Sequence, residues 1–273
     1  MLKVPREIKH SSNLAMAQYI TLYGKGLSLR QISNGTGVPR ETLRMRLKKE
    51  GVELRKSRRD LAIRYHAPST RINEEVAELL GLHAGDGWLS HDKWGISSNI
   101  NDEILICRTC YLLRNVVGVK PTITLRPVVH TAQIRSGQRQ AIEYFAKYFP
   151  FGKKAHRVRL PTEVVDSDDV GTIRGALRGL FSSDGSFSYR KRDLAPRLEF
   201  RCKSKELVTQ FVKLASKLGF KFNQYDVAHR TGREHVACLT RTNDILDWMD
   251  RIGTICDKHV LTFENWIKLR VRG

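Results

Sequence analysis

The feature that most constrains this chain is a nine-residue motif that occurs twice. Leu79-Leu80-Gly81-Leu82-His83-Ala84-Gly85-Asp86-Gly87 returns as Leu177-Arg178-Gly179-Leu180-Phe181-Ser182-Ser183-Asp184-Gly185, so both copies read L-x-G-L-x-x-x-D-G. By subtraction (184 − 86) the aspartates stand 98 residues apart, the size of a small duplicated domain. Val76, Leu79, Leu80 and His83, like Ile173, Leu177, Leu180 and Phe181, recur at helical spacing, which predicts one apolar face on each segment. A second face is small. Ala77, Gly81 and Gly85, and likewise Gly175, Gly179 and Ser183, stand four apart, so the two helices are expected to cross at short range.

Each helix is expected to end at the glycine after its aspartate, with Gly87 and Gly185 in the left-handed conformation that closes helices. Asp86 and Asp184 then lie in last turns, facing the negative end of a helix dipole and each other. That arrangement is unfavourable without an intervening positive charge, and a divalent metal is the obvious one. A single Asp-Gly would be an ordinary turn dipeptide; two with matched flanks are more than that.

On these residues the chain, from about Asn73 onward, resembles the LAGLIDADG homing endonucleases in their single-chain, two-motif form. Ala84 and Ser182 depart from the family's first aspartate and His83 from an aliphatic position, while the metal-binding carboxylate is retained. The resemblance implies an α+β fold of two pseudo-symmetric α-β-β-α-β-β-α repeats forming a DNA-binding saddle. It further implies a site-specific, metal-dependent double-strand break in a long DNA target, of the kind used in intron homing. Asp86 and Asp184 would then be catalytic and metal-binding, with Gly85 and Ser183 contributing to the metal sites and Mg²⁺ or Mn²⁺ as cofactor. The family also keeps a basic residue after the last helix of each repeat. Lys154 and Lys258 fill that place here, with Lys153 as a substitute for Lys154, to polarise water or steady the phosphate.

Charge agrees with a polyanionic partner. In 273 residues, 48 Lys+Arg against 28 Asp+Glu give +20, which favours double-stranded DNA over a membrane, although a non-specific nucleic-acid-coating protein would share it. No apolar run approaches a membrane span, and the first five residues lack a signal-peptide core, so a soluble intracellular monomer in cytoplasm or organelle matrix is expected. Five cysteines without framework spacing argue against a disulfide scaffold. Cys107 and Cys110 form a lone C-x-x-C inside an apolar helical pattern and read as buried free thiols rather than a zinc site. A chain from Met1 to Arg272-Gly273, without splicing residues at either end, is not expected to be an intein.

Four segments follow: a helix-turn-helix domain over 1–55, a basic linker over 56–72, and repeats over 73–167 and 168–273. In the first, helices around Leu14 to Leu22 and Leu29 to Ser33 precede a turn at Gly35-Thr36-Gly37 and a recognition helix whose exposed Arg40, Arg44 and Arg46 suit a major groove. A small bundle with a solvated basic face is the alternative. The basic run Arg55-Lys56-Ser57-Arg58-Arg59 is expected to track phosphates.

In the repeats, strands are expected over 88–98 (with a turn near 91–93), 123–129, 131–135, 186–192, 197–203, 220–227 and 235–241, and helices over 102–117, 138–149, 205–218 and 244–252. Strand parity turns Leu198, Phe200 and Cys202 inward and Arg197, Glu199, Arg201 and Lys203 outward, as it does Ser186, Ser188, Arg190 and Arg192. Apart from Glu199, these outward residues together with Arg135 and Asn99 are the candidate DNA contacts, Asn99 and Lys203 also being candidates to position water. Two other functions fit less well: a non-cleaving LAGLIDADG-like transcription regulator and an intron RNA maturase.

Overall fold

The computed structural model describes residues 12–24, 27–54, 66–152, 154–229 and 232–272. The basic run at 55–59 and Lys153 lie outside them. The chain divides into two compact units, 1–61 and 62–273.

The smaller unit holds three helices, α1 (Ser12–Gly24), α2 (Leu29–Thr36) and α3 (Arg40–Lys49). Ser28 opens α2 through a reciprocal capping box with Gln31. The helix runs through Gly35 and Thr36, so the expected three-residue turn shrinks to Gly37, whose φ of 70° suits glycine. Tyr19, Ile32, Leu43 and Leu47 form a small core of their own, which leaves Arg40, Arg44 and Arg46 on the exposed side of α3.

The larger unit repeats one order of elements. The first copy has α4 (Glu74–Asp86), β1 (Gly87–Leu89), β2 (Trp94–Asn99), α5 (Glu103–Leu112) continued by a π-helical turn (Leu113–Val117), β3 (Thr122–Arg126), β4 (Thr131–Ser136) and α6 (Arg139–Ala146). After a short α7 (Thr162–Val165) the second has α8 (Val170–Asp184), β5 (Gly185–Tyr189), β6 (Pro196–Cys202), α9 (Lys205–Lys217), β7 (Asn223–His229), β8 (Gly232–Leu239) and α10 (Thr242–Arg251). The sheets are ordered β1-β2-β4-β3 and β5-β6-β8-β7, antiparallel throughout. Pro127–Val129 is a 3₁₀ turn rather than the end of a strand, as its proline predisposes. A final helix, α11 (Asp257–Arg272), goes beyond the expected elements; Trp266 and Phe263 on it pack against Phe187.

Helices α4 and α8 form the seam between the repeats. Asn73 and Asp169 cap their first turns by accepting from Val76 N (2.9 Å) and Thr172 N (2.7 Å). Along the crossing, backbone meets backbone. A β-carbon added to Gly81 would stand 2.6 Å from the Ala176 carbonyl, and one on Gly179 would stand 2.2 Å from the Glu78 carbonyl.

Gly87 and Gly185 depart from expectation. Their φ angles of −76° and −83° are extended, so each helix passes directly into a strand. Glycine is needed for room instead, because a β-carbon there would stand 2.2 Å from His83 Nδ1 or 2.1 Å from the Phe181 carbonyl.

The seam also buries charge. Glu78 is fully buried on α4 and accepts two bonds from Arg108 of α5 (3.0 and 2.9 Å) and one from Arg178 of α8 (2.8 Å). Arg178 and Arg174 also hold Glu74, which depresses that carboxyl below its ordinary range, the Arg174 hydrogen bond first among the causes. A buried carboxylate with both oxygens engaged by guanidiniums is tolerable, whereas one that loses its partners is not. Glu78→Ala, leaving Arg108 and Arg178 part-buried without it, is expected to cost about 2 kcal/mol, less than the ~3–5 of a fully buried pair. Urea unfolding with an unchanged midpoint would contradict this.

Candidate active site

Helix geometry delivers the two aspartates to one place. Asp86 and Asp184 are the last residues of α4 and α8, and the crossing brings those ends so close that a β-carbon on Gly85 would stand 2.5 Å from Ser183 Cβ and 3.3 Å from Asp184 Oδ2. Gly85 and Ser183 therefore face each other beside the carboxylates. The Ser183 hydroxyl turns back to donate to the Gly179 (3.1 Å) and Leu180 (3.0 Å) carbonyls of its own helix.

Burial and proximity act on both acids. Desolvation, then the Asp184 charge, push Asp86 up to about 7, against a smaller opposing pull from Lys154. Desolvation pushes Asp184 up to about 6, again opposed by Lys154. Lys154 itself falls to about 8 because it too is buried. Its ammonium donates to the carbonyls of Ala84 (2.5 Å), Gly85 (2.8 Å) and His83, capping α4 at its negative end. Lys154 thus supplies the positive charge that carboxylates at helix C-termini require.

Among the described residues the second half lacks this device. Lys258 begins a helical turn of α11 and is exposed, and its charge acts on Asp102 rather than on the aspartate pair. Near the end of α8 lies instead a neutral assembly: Ser182 Oγ accepts from Ile255 N (2.9 Å) and contacts Thr254 Oγ1 (3.2 Å), while buried His259 packs on Phe181. Burial holds the His259 imidazole down to about 4.

Beside Asp184 and Lys154 opens a cleft of about 720 Å³, also lined by Arg157, Arg201, Lys203 and Glu234. Neither Arg157 nor Glu234 belongs to a motif that would single it out in the sequence. The outward face of the second sheet differs from the expected row of solvated cations. Glu199 is 5% exposed and central, bound to Arg197 (2.6 Å), Arg201 (2.7 Å) and the Tyr225 hydroxyl (2.5 Å). Ser186 and Ser188 keep their expected side, but β5 ends at Tyr189, and Arg190 and Arg192 belong to the following turn, where Arg190 pairs with Asp193 (2.7 Å). Arg135 on β4 is half-buried, and Asn99, exposed at the end of β2, uses its side-chain oxygen to accept from Asn101 N (2.9 Å). Arg40, Arg44 and Arg46 belong to the separate smaller unit, where Arg44 pairs with Glu41 (3.0 Å). Of the two thiols expected to be buried, Cys110 is and Cys107 is exposed.

Residues 171–253, from the start of α8 to the end of α10, match the model of the LAGLIDADG-like domain family. They form a LAGLIDADG-like domain. The first repeat builds the same elements in the same order around the same motif, which gives the larger unit the two-repeat LAGLIDADG fold. A curated relative, the replication factor C small subunit of Methanocaldococcus jannaschii, is 26% identical over 187 residues, covering 66% of this chain and 9% of that protein. Similar solved structures include mesophilic variants of the homing endonuclease I-DmoI (16% identity, 67% of this chain and 96% of that one, TM-score 0.48) and I-DmoI with DNA and Mn (17%, 67% and 98%, 0.47). The N-terminal LAGLIDADG domain of WhiA is another (20%, 69% and 87%, 0.46). Among the described residues no helix is long and apolar enough to cross a membrane.

The donor set suits a hard cation. Two carboxylates and the Gly85 carbonyl offer oxygen alone, and desolvation, which Lys154 offsets only in part, makes ionising both acids unfavourable without a further cation. Among the described residues no three His, Cys, Asp or Glu side chains gather into a metal cage.

The shifted acids give stability a pH dependence. With folded values near 7 and 6 against an ordinary 3.8, the folded chain binds more protons than the unfolded one between about pH 4 and 7. Without added metal, this pair's contribution to stability should therefore fall as pH rises through that window. Asp86→Asn combined with Asp184→Asn should flatten the decline, read by urea unfolding at a series of pH values. A double variant that declines as steeply as the parent would count against the shifts.

Proposed function

We propose that this chain is a site-specific DNA endonuclease that makes a metal-dependent double-strand break. One observation carries the reading: two half-buried, largely desolvated carboxylates meet at adjacent helix ends, with Lys154 at the end of α4, beside a cleft lined by arginine and lysine. A bound Mg²⁺ or Mn²⁺ would supply the Lewis acid that activates water and stabilises the leaving oxygen. Asp86, Asp184 and the Gly85 carbonyl are the residues that would hold it. Lys154, charged at neutral pH yet part-desolvated and with its N–H groups on the α4 carbonyls, would act on a phosphate through its charge. Arg197, Arg201 and Lys203 would meet the duplex, and α2 and α3 of the smaller unit would add helix-turn-helix contacts at one flank.

Selecting cleaved sequences from a randomised duplex library with Mg²⁺ tests this reading. A defined double-strand cut is expected. The second reading, a DNA-binding regulator that does not cut, draws on the inequality of the two halves; a selected site that is bound and never cut would establish it.

Deleting 1–61 should leave a chain that folds and cuts at the same positions, since both motifs and sheets lie beyond it. Affinity should drop, and the slope of log K against log salt should flatten by about 0.9 for every phosphate the truncated chain no longer neutralises. An unchanged salt slope and a full footprint would reassign the three helices to packing or partner binding.

A further inference from the structure

The outward face of the second sheet is built as a rigid support for one arginine. Arg201 donates from Nε (3.2 Å) and Nη2 (2.7 Å) to the same Glu199 oxygen, so one edge of its guanidinium is fixed. Glu199 is itself held. Its other oxygen accepts from the Tyr225 hydroxyl (2.5 Å) and forms an ion pair with Arg197 (2.6 Å), which also lies over the Tyr225 ring. Beneath this layer Val236 and Cys238 are buried although their parity turns them away from the helices. The carboxylate therefore has no room to swing.

The remaining edge of Arg201, Nη1 with the second proton of Nη2, meets no acceptor among the described residues, and the side chain is 39% exposed where it lines the cleft beside Asp184. Two parallel N–H groups at fixed orientation match the O6 and N7 acceptors of guanine in the major groove. The same fork could grip two phosphate oxygens, and the Arg201→Lys arm of the test below separates that contact from a base edge. Arg197 is less suited to reading a base, since its Nη2 is engaged with both Glu199 and Tyr225.

The geometry points to Arg201 as a base reader that recognises a single guanine next to the cleavage position, on the half-site covered by the second repeat, with Glu199 and Tyr225 as its positioning residues. This rests on the DNA-binding reading above and adds which base is read, by which atom pair, and what holds that pair still.

The test is enrichment of bound sequences by the full-length protein from a randomised duplex library without added metal, repeated with Arg201→Lys, Glu199→Gln and Tyr225→Phe. The parent should enrich one G·C pair near the centre on one flank. Arg201→Lys, which keeps the charge and loses the fork, should weaken that preference by roughly 5- to 150-fold and leave both the salt slope and the other positions unchanged. Glu199→Gln and Tyr225→Phe should weaken it at the same position, by less. Should Glu199→Gln fail to fold by circular dichroism, the half-exposed Arg201→Lys carries the decision. Retention of the guanine by Arg201→Lys would make the contact a phosphate one and overturn the proposal, as would an enriched site without that guanine. A library that enriches no sequence at all would overturn this proposal together with the DNA reading beneath it.

Discussion

Asp184→Asn and Asp86→Asn are each expected to yield a folded protein that binds its selected DNA site and no longer breaks both strands. The amide keeps the shape of the carboxyl but cannot supply the negative charge that holds a metal, so the loss should fall on cleavage, by about a thousandfold or more if the metal carries the chemistry. Folding should survive and even gain. Both acids are buried near another carboxylate, and ionising them opposes the folded state at neutral pH, so replacing one removes a repulsion. Plasmid cleavage with Mg²⁺, gel-shift affinity with Ca²⁺ and a melting curve separate these effects. Cutting at the parental rate by either variant would remove the aspartates from the mechanism. Lys154→Met should slow cleavage far more than Lys258→Met, because only the former side chain lies at the carbonyls of α4. Equal losses would show that the exposed lysine is recruited when DNA binds.

Gly179→Leu is expected to damage the fold severely. Its first side-chain carbon would stand 2.2 Å from the Glu78 carbonyl and 2.9 Å from Leu82 N, and both neighbours are helix backbone that cannot turn aside. The helices would have to separate along the seam, loosening the aspartate ends and the Glu78 ion pairs together. Ordinary overpacking costs ~1–3 kcal/mol, and a backbone clash on this scale should exceed it, lowering Tm by about 10 °C or more for a unit of this size. Gly152→Ala is a suitable control, because a β-carbon there meets nothing within 4 Å, although its φ of 84° adds local strain. A Gly179→Leu protein that melts with the parent would refute the close crossing.

The seam is legible in the sequence because its signal is periodic. Small residues four apart and a motif repeated at fixed distance survive in one dimension. What escapes a sequence reading depends on partners remote along the chain. Glu78 sits within an apolar helix pattern, and the guanidiniums that justify it arrive from positions 30 and 100 residues away. Glu199 has the parity of an exposed residue, yet Tyr225 from another strand and two arginines close over it. Lys154 and Lys258 follow their helices at similar distance, and α11 starts before the second and carries it outward. Gly87 shows a residue type matched to its position for a different reason: the sequence suggests a turn, and the structure uses the space.

The ion pairs along the seam have a consequence for how the two halves could ever exist apart. With the 98-residue offset, Arg178 corresponds to Leu80 (178 − 98), Arg174 to Val76 (174 − 98), Glu78 to Ala176 (78 + 98) and Glu74 to Thr172 (74 + 98). Two first halves pairing through α4 would set their glutamates against valine and leucine, and two second halves would set arginines against threonine and alanine. In the first self-pair Glu78 would keep Arg108 of its own half while Glu74 would lose its arginines, and in the second Arg174 and Arg178 would lose their acids, whereas the mixed pair satisfies both. Expressed as two polypeptides, the halves should therefore seek each other and reject their own kind, so that a dimeric ancestor with identical subunits could have become this chain only by dividing acid and base between its copies.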